Sequence, residues 1–509
     1  MGNGLISRRS LSSFSKLLSE KKQRFIHDYS VTPTTFNYRL PSKITSDKFY
    51  SAYNKNSIFY SLFHYLSPQS LNKQTPRDFY DSFPLTNFKQ LSKSKSNIPP
   101  KNVKMLTRDF IDDSLYNPQY GYFNKNAEIF SLGESFDYNN INDIDEFIRI
   151  WSTKYEKYST KSKDNLQLWH TPSELFQPFY GEALARYILV NYKLNLYPYD
   201  DLVIYEIGGG NGTLMKNILQ YIARNEPKIY KRTKYKIIEI SKPLSMKQRF
   251  KHLMIKDLEH RVEIVNKSFL DWDERQNEHC FVIGMEVLDN LSHDVLKYDL
   301  FTGEPYQGYV VIDENGDFHQ FWDPELNAET KTYLELTKDI GVNHEYVNYL
   351  TNALYPLNKF NLLKQKFNNV FSPFQNDLTN AMFIPTNLIK IFKILKEKFP
   401  NHQLLISDFN KLPKSINRTD YNHPIVQIFL NDKFVTSSTY LAKQGEFDII
   451  FPTDFEIIQQ LYTRITGKLI SVSSHEKFMN DWSDVEGTCL ANGENPLLSL
   501  YSNASFLHS

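Results

Sequence analysis

The stretch Val203-Ile204-Tyr205-Glu206-Ile207-Gly208-Gly209-Gly210-Asn211-Gly212-Thr213-Leu214 decides the fold of this chain. Its apolar, β-branched start is typical of a buried strand, and the glycines that follow allow a tight turn with positive φ. Apolar residues then recur at helical spacing, at Leu214, Ile218, Leu219 and Ile222. The stretch therefore predicts a strand, a turn and a helix, which together form the opening unit of a doubly wound α/β sheet.

The spacing of the glycines indicates the kind of ligand. A pyrophosphate-binding fingerprint would need a glycine where the chain has Thr213, and Glu206 would repel the phosphates. The observed pattern is Glu206-x-Gly208-x-Gly210-x-Gly212, ahead of a helix N-terminus with unpaired N–H groups. The carboxylate suits the ammonium of an amino-acid moiety such as that of S-adenosylmethionine, and the pattern resembles motif I of the class I methyltransferases. The alternative is an ordinary glycine turn with a solvated glutamate.

Length and composition limit the class of protein. At 509 residues the chain can hold one large domain with insertions, or two domains. A formal net charge of +1 gives no electrostatic case for a nucleic-acid partner. Two cysteines, Cys280 and Cys489, are too few for a disulfide framework or a zinc site. We expect no transmembrane segment, because no apolar run approaches the ~20 residues that a membrane span needs.

The N-terminus indicates a cellular location. Residues 1–30 are basic, serine-rich and poor in acids, and one face of a helix would carry Leu11, Phe14, Leu17 and Leu18. This composition is typical of a mitochondrial transit peptide, and it predicts a protein of the mitochondrial matrix. The alternative is a disordered basic tail. Residues 31–104 are interpreted as a divergent N-terminal extension.

The pattern of apolar runs divides the rest of the chain. Residues 105–200 are predicted to form a helical region that contains an insertion at 124–168. The Rossmann-like core is expected at 201–325, followed by a helical cap over the sheet edge at 326–400. Residues 401–509 are interpreted as the C-terminal part of the catalytic domain, and their last residues are expected to fray.

Further strands are expected after the glycine turn, separated by helices. They are 235–240, 262–265, 280–286 and 404–409. This alternation favours a parallel sheet with right-handed crossovers, and ligands of such sheets bind beyond the carboxyl ends of the strands. Four polar residues fall at these ends: Glu206, Glu239, Ser268 and Glu286. Their coincidence predicts one ligand site at this edge of the sheet.

Several blocks between residues 105 and 467 follow the order of motifs in one known family. The blocks are Asn117-Pro118-Gln119-Tyr120-Gly121-Tyr122-Phe123, Thr171 to Glu182, Glu206 to Leu214, Ile238 to Ser241, Met285 to Ser292, and Asp408 to Asn410. They resemble N-P followed by G-Y-Y/F, then T-S-P-E-x-x-Q-x-F-G-E, E-x-G-x-G-x-G-T-L, V-E-x-S, N-E-x-x-D-A-L-P and D-Y-G. These motifs are those of the MidA-like family of methyltransferases, which includes a mitochondrial complex I assembly factor that acts on a protein arginine.

The resemblance implies a fold, a cofactor and a reaction. The fold would be a Rossmann-like class I methyltransferase sheet with a helical cap and an N-terminal extension. The methyl donor would be S-adenosylmethionine, and the acceptor an arginine side chain of a protein, converted to symmetric dimethylarginine. A respiratory-complex subunit is the implied partner.

Each candidate residue of the donor site has a predicted role. The predicted cofactor-binding residues are Glu206, Gly208, Gly210, Gly212, Glu239, Ser268 and Phe269. Glu206 would hold the methionine ammonium, directly or through water, and the glycines would let the backbone pass close to the cofactor. Glu239 would accept hydrogen bonds from ribose hydroxyls, and the turn at 268–269 would border the adenine. The alternatives are a solvated glutamate at 239 and a plain turn with a core aromatic at 268–269.

Two acids are the candidates for the acceptor side. An arginine enters fully protonated, since its pKa lies above ~12, and a carboxylate can bind the planar guanidinium bidentately. Glu286 and Asp289, just past the fourth strand, are predicted to do so as catalytic residues. The alternative is that Glu286 caps a helix and Asp289 is solvated. His170 or His293 could act as a base, although a lone histidine is more often structural.

Two functions from different classes fit this sequence. The first is a mitochondrial protein arginine methyltransferase. The second is a catalytically degenerate methyltransferase fold that acts as an assembly or binding factor. Three departures from the family pattern favour the second: Leu168-Trp169-His170 replaces G-D-F, Met285 replaces asparagine, and Ser292 replaces proline. A nucleotide-linked dehydrogenase is disfavoured by Glu206 and Thr213.

Overall fold

The structure is a computed structural model. It describes residues 26–27, 76–125, 127–159, 167–253, 260–299, 303–338, 378–412, 421–430 and 433–509. Except for Ile26 and His27, the predicted transit peptide lies outside the described residues, and so does most of the predicted extension. None of the helices in these ranges combines the length and the apolar character that crossing a membrane requires.

The strands are numbered β1 to β18 along the described residues. They are β1 Ile26–His27, β2 Val103–Leu106, β3 Ala127–Ile129, β4 Gln167–Trp169, β5 Leu202–Ile207, β6 Thr233–Ile238, β7 Val262–Val265, β8 Cys280–Met285, β9 Asp294–Tyr298, β10 Pro305–Ile312, β11 Phe318–Asp323, β12 Met382–Ile384, β13 His402–Phe409, β14 Ile425–Leu430, β15 Lys433–Ser437, β16 Asp448–Ile450, β17 Ser471–Ser474 and β18 Ala504–His508.

The helices are numbered α1 to α15 in the same way. They are α1 Pro76–Asp81, α2 Phe88–Leu91, α3 Thr107–Tyr116, α4 Tyr122–Lys125, α5 Ile144–Ser159, α6 Pro172–Leu175, α7 Phe179–Asn195, α8 Thr213–Asn225, α9 Pro227–Tyr230, α10 Lys242–Leu253, α11 Ala328–Thr337, α12 Thr386–Lys398, α13 Phe455–Thr466, α14 His475–Trp482 and α15 Pro496–Ser499. Short 3₁₀ turns lie at Tyr138–Asn140, Phe269–Asp271 and Glu486–Thr488.

The central sheet has seven strands in the order β17-β18-β13-β8-β5-β6-β7. Strands β13, β8, β5, β6 and β7 are parallel, whereas β18 is antiparallel to β13. This arrangement confirms the predicted Rossmann-like α/β fold. Strand β6 ends at Ile238, two residues earlier than predicted, and Glu239 therefore lies beyond the end of the strand.

Helices cover both faces of this sheet, because the strands are apolar on both sides. On one face, α7 and α8 pack on Ile204 and Ile283 through residues such as Ile188 and Ile218. On the other face, the neighbouring strand residues Val203 and Val282 belong to the core that α12 and α13 complete. The sheet is therefore buried, and its carboxyl-terminal edge remains available for a ligand.

The chain between β8 and β13 builds a second sheet together with β1 and β2. Its order is β1-β11-β10-β9-β12, and β2 also pairs with β10. Within this sheet, β10 and β11 form an antiparallel pair. The predicted helical cap at 326–400 differs in one respect, since Met382–Ile384 is a strand paired with β9. Residues 339–377 of that predicted cap lie outside the described residues.

The end of the chain corrects one expectation. The last residues are predicted to fray, but residues 504–508 form β18 inside the central sheet, between β13 and β17. Phe506 and Leu507 are buried, and the ring of Phe506 stacks on Phe478 of α14 with centroids 3.9 Å apart. The prediction of a frayed end was wrong because this short apolar segment is stabilised by packing on parts of the chain that are distant in sequence.

Candidate functional site

A cavity of about 1140 Å³ opens at the carboxyl ends of the parallel strands. Its floor is formed by the turns that follow four strands: Gly208 and Gly210 after β5, Glu239 to Ser241 after β6, Lys267 to Asp271 after β7, and Glu286 to Leu291 after β8. The walls come from α3, from residues 85–92 and from the region of the predicted insertion. The predicted site residues from four separate strands therefore gather at one edge of the sheet.

The turn after β5 can adopt its shape because it contains glycines. Gly208, Gly210 and Gly212 have φ angles of 70°, 49° and 71°. A Cβ atom added to Gly208 would lie 2.9 Å from Val287, and one added to Gly210 would lie 3.0 Å from Ile129. Side chains are therefore excluded on both sides of the turn, and the backbone at the cavity floor remains open to close approach by a ligand.

The structure places Glu206 beneath this turn. Its side chain is only 3% exposed, and its Oε2 accepts a hydrogen bond of 2.8 Å from the Tyr235 hydroxyl. Burial raises the pKa of Glu206 to about 8. Among the described residues, neither Glu206 nor Gly212 lines the cavity. Direct contact between this carboxylate and an ammonium in the cavity would need a rearrangement, and the predicted role of Glu206 stays a prediction.

Glu239 lines the cavity and also fixes the glycine turn. Its carboxylate accepts hydrogen bonds of 2.9 Å each from the Ser241 amide and the Gln248 side chain. The backbone amides of Gly209 and Gly210 are further donors to it, while burial raises its pKa to about 7. A ribose hydroxyl could reach this carboxylate only by sharing or displacing one of these donors. Its predicted ribose contact stays a prediction.

The turn after β7 brings Ser268 and Phe269 to the cavity wall. The Ser268 hydroxyl accepts a hydrogen bond of 3.2 Å from the Leu270 amide and so starts a short 3₁₀ turn. The ring of Phe269 is 5% exposed and stacks on Phe399 with centroids 5.7 Å apart. Both residues are placed where they could border a planar ligand group, although Phe269 also serves the core.

The turn after β8 presents two acids to the same cavity. Glu286 has a φ angle of 55°, a left-handed conformation that is uncommon for a residue other than glycine. Glu286 Oε1 and Asp289 Oδ1 are buried and have no hydrogen-bond partner in the described part of the chain. Burial, together with the charge of Asp408, raises the pKa of both carboxyls well above its ordinary value. The alternative of a solvated Asp289 does not hold, since this residue is 4% exposed.

Two acids that sequence reasoning missed support this turn. Asp408, at the end of β13, accepts hydrogen bonds of 2.6 Å and 3.2 Å from the amides of Leu288 and Asp289. Asp448 accepts a hydrogen bond of 3.2 Å from the Asn290 side chain, and burial raises its pKa to about 8. Asp408 belongs to a block that resembles D-Y-G of the family, and that resemblance was the available signal for it.

A further acid lines the cavity from α3. Asp112 Oδ2 accepts a hydrogen bond of 3.2 Å from Asn387, whose side chain also donates to the Ser292 hydroxyl at 2.6 Å. Burial, with the nearby charge of Asp109, raises the pKa of Asp112 to about 7. Asp109, Asp112 and Tyr116 recur at helical spacing and all line the cavity, so periodicity could have found this face.

Neither candidate histidine is placed to act as a strong base. His293 stacks on Phe451 with centroids 4.0 Å apart, and its burial lowers the pKa to about 4. His170 lines the cavity and packs against Trp151, and burial lowers its pKa as well. Both rings are therefore neutral near pH 7, and His293 is a packing residue.

Comparisons with known proteins indicate the family of this chain. Residues 183–472 match a family model described as "Putative S-adenosyl-L-methionine-dependent methyltransferase". Protein arginine methyltransferase NDUFAF7 homolog, mitochondrial, of Schizosaccharomyces pombe is 22% identical over 401 residues, which are 76% of this chain and 81% of that protein. The protein of the same name from Saccharomyces cerevisiae is 25% identical over 362 residues, covering 65% and 79%. A crystal structure of a Burkholderia thailandensis protein bound to S-adenosyl-homocysteine is 15% identical, has a TM-score of 0.48, and covers 80% of this chain and 88% of its own.

Proposed function

The chain belongs to the family of S-adenosyl-L-methionine-dependent methyltransferases, and from this premise we propose that it methylates an arginine side chain of a protein in the mitochondrial matrix. The names of the two yeast relatives, which are mitochondrial protein arginine methyltransferases, support this acceptor and this location. The resemblance of the motif blocks supports symmetric dimethylarginine as the product and a respiratory-complex subunit as the substrate.

One observation carries the choice of acceptor. The cavity holds two buried carboxyl groups, Glu286 and Asp289, and each keeps an oxygen without a hydrogen-bond partner among the described residues. A buried carboxylate oxygen left unpaired is costly. A guanidinium has five N–H donors in a planar fork and can satisfy both oxygens at once. Arginine is therefore the side chain that this arrangement fits best.

The opposite end of the cavity fits the methyl donor. S-adenosylmethionine supplies an electrophilic methyl group on a positively charged sulfur. The open backbone of Gly208 and Gly210 would take the methionine moiety, Glu239 the ribose, and Ser268 and Phe269 the adenine. Glu206 lies outside the cavity lining and would reach the ammonium through water or after a rearrangement. Each of these side chains or amides belongs to one continuous edge of the sheet, so a single extended ligand can meet them all.

The acids would position the acceptor and take up its proton. Approach of a guanidinium favours the ionised forms of Glu286 and Asp289, since an opposite charge stabilises a carboxylate. In-line displacement then depends mainly on holding nitrogen and methyl group in line. The raised pKa of Glu286 allows it to accept the proton that the nitrogen loses on methyl transfer.

Mass spectrometry of mitochondrial proteins from deletion cells tests this proposal. Cells that lack the protein should lose dimethylarginine from at least one mitochondrial protein. The wild-type gene should restore it, and a Glu286→Gln variant, which keeps the shape of the side chain but not its charge, should not. An unchanged dimethylarginine inventory in the deletion cells would contradict the proposal and favour a degenerate fold that serves as an assembly factor.

A further inference from the structure

Two stacked aromatic rings line the cavity between its two ends. Tyr116 is the last residue of α3, and Phe123 belongs to α4. Their ring centroids are 5.4 Å apart, and their planes are inclined by only 16°. Tyr122 meets Phe123 edge-on at 5.3 Å and fixes its orientation. We refer to Tyr116 and Phe123 as the stacked pair.

The sequence between the two rings is built to bring them together. Asn117 ends α3, and its side chain both donates to Asp113 at 2.8 Å and accepts from the Gln119 amide at 3.0 Å. The Gly121 amide then donates to the Asn117 carbonyl at 2.8 Å. A Cβ atom on Gly121 would lie 2.4 Å from the Asn117 nitrogen, so only glycine fits this close return of the chain. The turn folds Phe123 back over Tyr116.

Hydrogen bonds place the stacked pair between the donor end and the acid end of the cavity. The Asn124 side chain, next to Phe123, contacts the Ser241 hydroxyl at 3.5 Å, just past the end of β6. The Tyr116 hydroxyl donates to the Asn290 carbonyl at 2.9 Å, in the turn after β8. The pair therefore spans the line along which a methyl group would pass from donor to acceptor.

Resting on the proposed function, we infer that the stacked pair holds the positively charged sulfur of the methyl donor against the face of Phe123. An aromatic face attracts a cation through its quadrupole, and the attraction is strongest where water is excluded. Loss of the methyl group leaves a neutral thioether, which this face does not attract in the same way. The pair would thus distinguish the donor from its demethylated product by charge, and it would favour release of the product.

Titration calorimetry of the full chain with S-adenosylmethionine and with S-adenosyl-homocysteine tests this inference. The two ligands differ at the sulfur, in one methyl group and one positive charge. Phe123→Leu should weaken binding of S-adenosylmethionine about fivefold, while its affinity for S-adenosyl-homocysteine should change by less than about twofold. The matched control is Ile240→Ala, because Ile240 lines the donor end of the cavity without an aromatic ring. It should change both affinities by the same factor.

The outcomes separate this inference from the proposed function. If Phe123→Leu weakened both ligands by the same factor, the role of the pair in sensing charge would be overturned, and the proposed function would stand. If the wild-type protein bound neither ligand, the proposed function itself would fail. Tyr116→Leu provides a second variant, and circular dichroism establishes which variants are folded. Tyr116→Leu should also lower the ratio of the affinity for S-adenosylmethionine to that for S-adenosyl-homocysteine, because it removes the ring that stacks on Phe123.

Discussion

The turns after β5 and β8 are neighbours in the central sheet. Glu206 precedes the first turn, and Glu286 is the first residue of the second. Strand β5 pairs with β8 in parallel register, and Val287 fills the space between the two turns, against Gly208. The left-handed position is occupied by Gly208 in the first turn and by Glu286 in the second. Glu206 is hydrogen-bonded to Tyr235 beneath its turn, whereas Glu286 lines the cavity with one oxygen unpaired.

The difference between the two turns lies in the surroundings of their acids and in the backbone strain at each turn. A residue other than glycine costs roughly 1–2 kcal/mol in the left-handed region. This strain is present at Glu286, whose carboxylate lines the cavity, and it is absent at Gly208, which has no side chain. Under the proposed function, the β8 turn supplies a side chain to the ligand, and the β5 turn supplies backbone.

The largest effect is expected where a side chain is added to the backbone of the β5 turn. Gly210→Val would place a branched side chain at a φ angle of 49° and against Ile129, which lies 3.0 Å from the added Cβ. We expect affinity for S-adenosylmethionine to fall at least about 100-fold, or about 2.7 kcal/mol. Titration calorimetry measures this. The matched control is Gly133→Val, since Gly133 has a φ angle of 79° with no atom within 4 Å of its added Cβ; equal losses in both variants would refute the assignment.

A smaller effect, a gain in folding stability, is expected from a substitution at the β8 turn. Glu286→Gly should relieve the left-handed strain and remove a buried carboxyl group, and so raise the free energy of unfolding by about 1 kcal/mol even after the entropic cost of glycine. Denaturant unfolding at pH 7 measures the gain, and methylation should be lost in the same variant. Asn102→Gly is the control, because Asn102 has a φ of 56° but no place in the cavity; asparagine tolerates this region, so it should gain less. A destabilised Glu286→Gly would show that the acid is part of the scaffold.

The sequence predicted the β5 turn far better than the walls around it. The apolar run of β5 and its glycines interact with near neighbours, so their pattern reveals the strand, the turn and the helix directly. Glu286 and Asp289 were also found, because they follow a buried strand immediately. In each case the residues that determine the local structure lie close to the motif along the chain.

Contacts between distant segments could not be read in this way. Asp408 reaches Leu288 across 120 positions, and the Asn290 side chain reaches Asp448 across 158. The hydrogen bond between Tyr235 and Glu206 was not foreseen for the same reason, since nothing in the motif indicates this partner. Strand β18 was not predicted because its Phe506 packs on Phe478, which lies in a different element, helix α14. The pattern of one segment shows which face is apolar, but not what covers it.

The smallest effect on affinity is expected at Glu206, where the pH dependence of stability tests the structural side of the comparison. Burial raises the pKa of Glu206 to about 8, against about 4.3 in an unfolded chain. The folded state thus binds more protons between these values, so the stability that the protonated group contributes is full below about pH 4.3 and is lost as pH rises through about 8. Thermal unfolding from pH 5 to 8.5 should show a smaller decline in the free energy of unfolding for Glu206→Gln than for wild type, by at most about 1.4 kcal/mol per pH unit.

Because Glu206→Gln keeps a side chain that can accept a hydrogen bond from Tyr235, the turn should persist, and S-adenosylmethionine affinity at pH 6 should stay within about threefold of wild type. Unaltered pH dependence combined with a large loss of affinity would reverse the assignment, since it would mean that the ionised Glu206 faces the ligand after all.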